Sequence, residues 1–183
     1  VIRHPREGAA RVAADYARVP VINAGDGAHE HPTQALLDLY TIRREKSTIT
    51  GINVALVGDL RHARTAHSLA FGLARFGADI SCVAPKGLEL PPHVMEKLEH
   101  SYGVSPDHYQ SLEDLVTDRE LFDDESGEVH TLTREAITFF DVIYVTRVQR
   151  ERFHSPQEFA AARNSYAITG TLLAKARPDA PAW

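Results

Sequence analysis

The stretch NVALVGDLRHARTAHSLAFGLARFGADISCVA, residues 53–84, decides the fold of this chain. It opens with an apolar run typical of a buried strand, Asn53–Val57, and a second such run follows at Asp79–Ala84. Between the two runs lies a helical pattern with an apolar inner stripe, formed by Ala66, Leu69, Ala70, Leu73 and Phe76. A strand, a helix and a second strand in this order predict a βαβ unit.

The same alternation continues on both sides of this unit. Towards the amino terminus we expect strands at Val1–Ile2 and Val19–Ile22, a helix opened by Pro5 and a helix over Thr33–Lys46. Towards the carboxyl terminus a helix opened by Pro91–Pro92 and a strand at Asp141–Thr146 follow. Strands that alternate with helices predict an α/β fold with doubly wound parallel sheets.

Two polar segments interrupt the alternation. The stretch Ser47–Gly51 predicts a boundary between an incomplete first domain, residues 1–47, and a second domain, residues 48–183. The acidic segment near 117–138 lacks clear periodicity, and we expect it to be an exposed insertion.

Composition restricts the function classes. The hydrophobic fraction of 43% and the charged fraction of 25% are typical of a soluble globular protein, which we expect to be cytoplasmic. A formal net charge of −5 favours neither a nucleic-acid nor a membrane partner. The single cysteine, Cys82, excludes an intramolecular disulfide and a cysteine-based zinc site. The chain begins at Val1 without methionine, so we expect it to be a fragment.

The segment Asn23–Gln34 passes from a strand through a Gly-Asp-Gly turn into the start of a helix. Pro32 suits the first helical turn because its missing N–H costs nothing there. Free N–H groups at a helix start favour a negative or partly negative ligand. His31 and Gln34, three residues apart, lie on one face of that turn and are expected to converge on one small group. The alternative is structural, because His-Pro also starts many ordinary helices.

Other polar residues are expected at or just beyond the ends of predicted strands. They are Arg3, Arg64, Arg147 and Gln149. Ligands of parallel sheets bind outside the carboxyl ends of the strands, and guanidinium groups bind carboxylate or phosphate in a bidentate manner. Two arginines from separate loops therefore indicate a dianionic substrate.

Each of these residues also has a structural interpretation. Arg3 alone is typical of a surface ion pair, Arg64 of a residue covering its own helix, and Arg147 of a solvated basic face. We assign no site role to three neighbouring polar residues, which we expect to be a turn former, an exposed loop residue and a helix-surface residue: Asp59, His62 and His67.

Four common nucleotide-binding or catalytic motifs are missing from the sequence. Gly58 is not followed by the further glycines of a Gly-x-Gly-x-x-Gly dinucleotide loop. The sequence also lacks a phosphate-binding P-loop, a Gly-x-Ser-x-Gly elbow and a His-Glu-x-x-His zinc helix. We therefore expect no metal, no cofactor and no protein nucleophile, and a site that works by polarisation and charge complementarity.

Several motifs in the right order resemble the aspartate/ornithine carbamoyltransferase family. They are Arg3–Arg11, Asn23–Gly27, His31–Gln34, Val57–Ser68 and Thr146–Arg152. The resemblance extends from Val1 to about Ala180 and is weakest across the acidic segment. The ornithine branch typically has cysteine where Thr33 stands, so the aspartate branch is favoured.

The resemblance implies a reaction of pyrimidine biosynthesis. The amino group of L-aspartate would attack the carbonyl carbon of carbamoyl phosphate, giving N-carbamoyl-L-aspartate and phosphate. Arg3 and His31 would bind the carbonyl oxygen, and Gln34 the carbamoyl NH₂ group. The aspartate carboxylates would be bound by Arg64, Arg147 and Gln149.

The resemblance also implies an assembly with shared active sites. Members form homotrimers, in some cases with regulatory chains. Their Ser-x-Arg-Thr phosphate segment, the lysine loop of a neighbouring subunit and a His-Pro-Leu-Pro-Arg segment are not among these 183 residues. We therefore expect this chain alone to be inactive. Two alternatives stay open: a truncated or non-catalytic homologue with an assembly role, and a carbamoyltransferase for another amino acid.

Overall fold

The computed structural model of the protein describes residues 1–111, 119–122, 129–132, 140–147 and 155. The helices are α1 (Ala9–Tyr16), α2 (Pro32–Lys46), α3 (Arg64–Arg75) and α4 (Pro92–Tyr102). The strands are β1 (Ile2–His4), β2 (Asn23–Asp26), β3 (Asn53–Val57), β4 (Asp79–Val83), β5 (Asp107–Tyr109), β6 (Arg119–Phe122), β7 (Val129–Leu132) and β8 (Val142–Val145).

Among the described residues, the main sheet has four strands in the order β5-β4-β3-β8, and all of its pairs are parallel. Its central strand β3 pairs with β4 on one side and β8 on the other, so that Val57 lies level with both Val83 and Val145. The predicted βαβ unit, β3-α3-β4, is therefore confirmed, and so is the parallel α/β fold class.

The core of this part is made by β3 and α3. Val54, Leu56, Leu69 and Leu73 have no exposed surface, and the stripe predicted for α3 is buried except for its last member. Phe76 is 49% exposed because it follows the last turn of α3 as its carboxyl-terminal cap, where the chain turns at Gly77. The prediction was wrong for that residue.

A second, two-stranded parallel sheet contains β1 and β2, with Ile2 opposite Asn23. The strand expected at Val19–Ile22 instead occupies Asn23–Asp26. Pro20 has no N–H to donate to a ladder, and pairing with β1 begins only where the Ile2 N–H reaches the Ile22 carbonyl.

The helix expected from Pro5 begins only at Ala9. Gly8 precedes it with φ 75°, a left-handed conformation that a right-handed helix cannot include. The turn at residues 5–8 brings the Gly8 N–H to the carboxylate of Asp26, 2.8 Å away. The later start of α1 thus joins it to the end of β2.

Helix α2 confirms the predicted helix start, with His31 as N-cap and Pro32 in the first turn. Its buried residues are Ala35, Leu39 and Ile42, of which Leu39 packs on α3. A Cβ placed on Gly72 of α3 would lie 2.6 Å from Leu39 Cδ1, so the glycine permits this close approach. Helix α2 therefore connects the part that contains β1 and β2 to the main core.

The acidic segment contains regular structure. Strands β6 and β7 pair antiparallel, with Arg119 opposite Leu132 and Phe122 opposite Val129. Val129–Leu132 consists largely of residues that favour strands, a signal that the acidic composition obscured. The rest of the segment lies outside the described residues. Among the described helices, none has the length and apolar character needed to cross a membrane.

We predict that Gly58→Ala destabilises the fold. Gly58 has φ 116°, and a Cβ there would lie 2.5 Å from Thr146 Oγ1 and 2.8 Å from its carbonyl oxygen. Backbone strain and the clash together should lower the free energy of unfolding by about 3 kcal/mol, measured by urea denaturation. Gly51→Ala is the matched control, because Gly51 has φ 71° and nothing within 4 Å of its Cβ position. Equal losses in both variants would contradict the close approach of Gly58 to Thr146.

Candidate active site

His31 ends the loop that precedes α2, and its ring is fixed by the helix start. The Nδ1 atom accepts a hydrogen bond from the Gln34 backbone N–H at 3.3 Å, as an N-cap side chain does. Its own backbone N–H donates to Ser68 Oγ at 2.8 Å. Because Nδ1 acts as the acceptor, the proton of the neutral ring lies on Nε2. His31 therefore offers one N–H donor at Nε2.

The charges around His31 keep the ring neutral. Partial burial lowers the pKa of His31 below its ordinary 6.5, and the positive charges of Arg64 and Arg3 lower it further. The charges of Arg3 and Arg64 thus act on His31, and the sequence predicted all three residues for one site. They come from β1, from the loop before α2 and from the first turn of α3.

Arg64 reaches from α3 to the loop beside β2. Its Nη1 donates to the Gly27 carbonyl oxygen at 3.1 Å, and its guanidinium lies over Gly25. A Cβ at Gly25 would be 2.8 Å from the Arg64 Cζ atom, so only glycine admits the guanidinium there. This geometry differs from the structural alternative, in which Arg64 would cover its own helix.

His67 corrects a prediction. It was expected on the helix surface, but it is 1% exposed. Its Nε2 lies 2.7 Å from the Leu60 carbonyl oxygen and its Nδ1 lies 3.1 Å from the His29 carbonyl oxygen. The start of α3 is packed between two loops, and the ring of His67 bridges their backbones. Burial lowers the pKa of His67, while the two carbonyl contacts act in the opposite direction.

Asp59 forms the predicted turn, since its Oδ1 accepts the His62 backbone N–H at 3.1 Å. It is also completely buried, which the sequence did not indicate. The ring of His62 lies 3.0 Å from the same carboxylate, so that His62 is only partly accessible rather than an exposed loop residue. A buried carboxylate needs such partners, and the turn supplies them.

Asp26 organises the loop and was not singled out from the sequence. It is 2% exposed, and its carboxylate accepts hydrogen bonds from a side-chain amide and two backbone N–H groups: Asn23 Nδ2, Gly8 N and Glu30 N. The His29 ring contacts it at 3.1 Å. Burial alone raises the pKa of Asp26, but these hydrogen bonds outweigh burial and hold it below its ordinary value. Its position between the two glycines of the turn was the available signal.

Arg147 follows β8 at the edge of the main sheet where the parallel strands β3 and β8 both end. The Thr146 N–H donates to the Val57 carbonyl oxygen at 2.8 Å, so Arg147 leaves the sheet beside the loop that leads from β3 to Arg64. Gln34 lies in the first turn of α2 with His31. Gln149, the remaining predicted residue, lies outside the described residues. A cavity of about 470 Å³ beside α4, lined by His62, His93 and others, includes none of the predicted site residues that the structure describes.

Family models match most of the chain. A family described as aspartate/ornithine carbamoyltransferase, Asp/Orn binding domain, matches residues 50–181, and the carbamoyl-P binding domain of the same family matches residues 1–44. The chain belongs to the aspartate/ornithine carbamoyltransferase family. The resemblance predicted from the sequence motifs is thereby confirmed.

Relatives of the family match most of this chain. The aspartate carbamoyltransferase catalytic subunit of Methanopyrus kandleri is 46% identical over 98% of this chain and 51% of its own length. That of Thermococcus onnurineus is 42% identical over 97% of this chain and 50% of its own length. The chain spans about half the length of the curated relatives it matches.

Solved structures of the family share the fold. The catalytic subunit of M. jannaschii aspartate transcarbamoylase has a TM-score of 0.67 at 44% identity, with 90% of this chain and 47% of the other covered. Aspartate transcarbamoylase from Trypanosoma cruzi in complex with carbamoyl phosphate has a TM-score of 0.76 at 37% identity, with 96% and 50% covered.

We predict that His31 titrates below pH 6.5 and that Arg64→Met raises its pKa towards that value, because a nearby positive charge is removed. NMR titration of the ring measures the pKa, and nitrogen shifts report the Nε2–H tautomer. Arg75→Met, at the other end of α3, is the matched control. The pKa of His31 is higher in the unfolded chain than in the folded one. Lowering the pH through 6.5 should therefore also reduce the free energy of unfolding. An unchanged pKa in Arg64→Met would contradict the electrostatic contact.

Proposed function

We propose that this chain forms part of an aspartate carbamoyltransferase, which transfers the carbamoyl group of carbamoyl phosphate to the amino group of L-aspartate in pyrimidine biosynthesis. The observation that carries the proposal is that the ring of His31, fixed by the start of α2, belongs to the loop that the Arg64 guanidinium contacts at Gly27, with the charge of Arg3 nearby. A related enzyme has been solved in complex with carbamoyl phosphate and aspartate, which supports these substrates.

The chemistry requires stabilisation of negative charge on the carbamoyl carbonyl oxygen. As the nitrogen of aspartate bonds to the carbonyl carbon, charge develops on that oxygen until the bond from carbon to the phosphate oxygen breaks. The surplus proton of the nitrogen would pass to the departing phosphate. The Nε2–H of His31 and the guanidinium of Arg3 would donate hydrogen bonds to the carbonyl oxygen. Donors fixed in advance stabilise the transition state without reorganisation. His31 acts here as a neutral donor, and its Nδ1 remains engaged by the helix start.

Binding of the second substrate requires charge complementarity. Arg64, Arg147 and Gln149 would bind the two carboxylates of aspartate. The planar guanidinium groups of Arg64 and Arg147 suit bidentate binding of a carboxylate. Aspartate would then lie between the edge of the main sheet and the loop of His31, and its amine would face the carbamoyl carbon.

We further propose the division of labour and the assembly expected from the sequence. Residues 1–47 would complete the carbamoyl-phosphate domain and residues 48–183 would form the aspartate domain. The complete enzyme would be a cytoplasmic homotrimer, in some cases with regulatory chains. The similarity to catalytic subunits of aspartate carbamoyltransferase favours aspartate over another amino acid. A non-catalytic assembly role is the competing proposal, and activity of the complete protein separates the two.

We predict that Arg147→Ala impairs the use of aspartate in the complete protein, including any residues that flank this chain. Loss of one charge partner should lower kcat/KM for aspartate by a factor that corresponds to about 2–5 kcal/mol, because the carboxylate is left without its cation. The use of carbamoyl phosphate should change far less. Arg44→Ala, in the exposed last turn of α2, is the matched control. Unchanged aspartate kinetics in Arg147→Ala would exclude this role for Arg147.

We predict that His31→Ala lowers turnover by about 10²–10³, the range for loss of one oxyanion donor. The control separates catalysis from helix capping. His31→Asn retains an N-cap side chain but lacks an N–H at the position of Nε2, so its stability should be near normal while its turnover stays low. Thermal unfolding and steady-state kinetics measure the two effects. Near-normal turnover of His31→Asn would reduce His31 to a structural cap.

A further inference from the structure

The side-chain amide of Gln34 is held by a carboxylate one turn further along α2. Gln34 Nε2 donates to Asp38 Oδ1 at 2.9 Å, and the two residues have the i, i+4 spacing that places side chains together on a helix. A carboxylate only accepts hydrogen bonds, so it selects the NH₂ end of the amide. The carbonyl oxygen Oε1 is therefore the end of Gln34 that is left to accept a hydrogen bond from a ligand.

Asp38 also accepts a hydrogen bond from a residue of the main sheet. Its other oxygen, Oδ2, accepts from the phenol of Tyr144 in β8 at 3.1 Å. Tyr144 lies opposite Leu56 of β3 and also has a hydrogen bond with the Thr65 hydroxyl. Burial raises the pKa of Tyr144, and the charge of Asp38 raises it further, so the phenol stays protonated and keeps donating.

The hydrogen bonds Tyr144–Asp38–Gln34 thus connect the strand that precedes Arg147 to the helix that carries the carbamoyl-binding residue. The two oxygens of Asp38 have separate partners, and each partner donates. Rotation of the Gln34 amide by half a turn would place an acceptor against Asp38, which the carboxylate opposes. The arrangement gives the Gln34 amide one orientation.

We propose that Asp38, supported by Tyr144, is a positioning residue that turns the Gln34 carbonyl oxygen towards the NH₂ group of the carbamoyl substrate. The inference rests on the proposed function. It makes Asp38 a specificity determinant as well, because a correctly oriented acceptor favours a carbamoyl group over an acetyl group, whose methyl cannot donate. A site built to hydrogen-bond an NH group rejects an analogue that lacks it.

The first test compares carbamoyl phosphate with acetyl phosphate as a competing inhibitor in the complete protein. Asp38→Leu should raise the KM for carbamoyl phosphate or lower kcat so that kcat/KM falls about 10-fold. The inhibition constant of acetyl phosphate should change less than about 3-fold, since its methyl group makes no hydrogen bond to Gln34. A merely structural defect would impair the use of carbamoyl phosphate and the binding of acetyl phosphate alike, and that result would overturn the proposal.

Matched variants separate the role from the loss of a carboxylate. Asp38→Asn keeps an oxygen that accepts from Gln34, so it should recover carbamoyl phosphate use to within about 3-fold of the parent. Tyr144→Phe should shift the same ratio in the same direction as Asp38→Leu, but less. Asp15→Leu removes a carboxylate that is 56% exposed on α1, and it should leave the ratio unchanged. No recovery in Asp38→Asn would overturn the proposal.

A double-mutant cycle distinguishes failure of this inference from failure of the proposed function. If Asp38 acts through Gln34, Asp38→Leu should have no further effect on carbamoyl phosphate use in a Gln34→Ala protein. Independent, additive losses would overturn the inference and leave the role of Gln34 intact. A Gln34→Ala protein with parental use of carbamoyl phosphate would remove the role proposed for Gln34, and the inference with it.

Discussion

The site depends on the contacts that side chains in the first turns of α3 make with the loop before α2. Three side chains of α3 contact the backbone of residues 27–31: Arg64 at Gly27, His67 at His29 and Ser68 at His31. The contacts are made by groups of different chemistry, yet all of them bind main-chain atoms. The loop is therefore positioned by its backbone, and the His31 side chain is left available for ligand chemistry.

A second set of contacts is centred on Asp26, the last residue of β2, where the loop begins. The carboxylate of Asp26 collects N–H donors from three segments, and it is buried, so each hydrogen bond is worth more than it would be in water. A loop fixed from both sides has little freedom to lose when a substrate binds. In the proposed reaction, which needs no protein nucleophile, such preorganised donors would be the main means of catalysis.

Several features of the candidate site could be predicted because their signals are local. The spacing of His31, Pro32 and Gln34 indicates a helix start, and the arginines that follow apolar runs indicate strand ends. The burial of His67 was not predictable in this way. A histidine in the second half of the motif Arg64–Ser68 has the same local pattern whether it faces solvent or two carbonyl groups. The start of β2 was missed because pairing with β1, and not apolar content, sets where that strand begins.

The sequence by itself determined the βαβ core, the fold class, the family and the candidates for anion binding, because periodicity, glycine placement and side-chain chemistry are properties of short stretches. Only the tertiary structure decided which of these residues meet. Residues 3, 31 and 64 belong to separate elements, and Arg3 and Arg64 come near His31 because β1 pairs with β2 and the start of α3 contacts the loop before α2. The link from Tyr144 to Asp38 spans 106 positions and follows from where β8 joins the sheet. Contacts of this kind depend on how elements pack, and packing is a property of the whole fold.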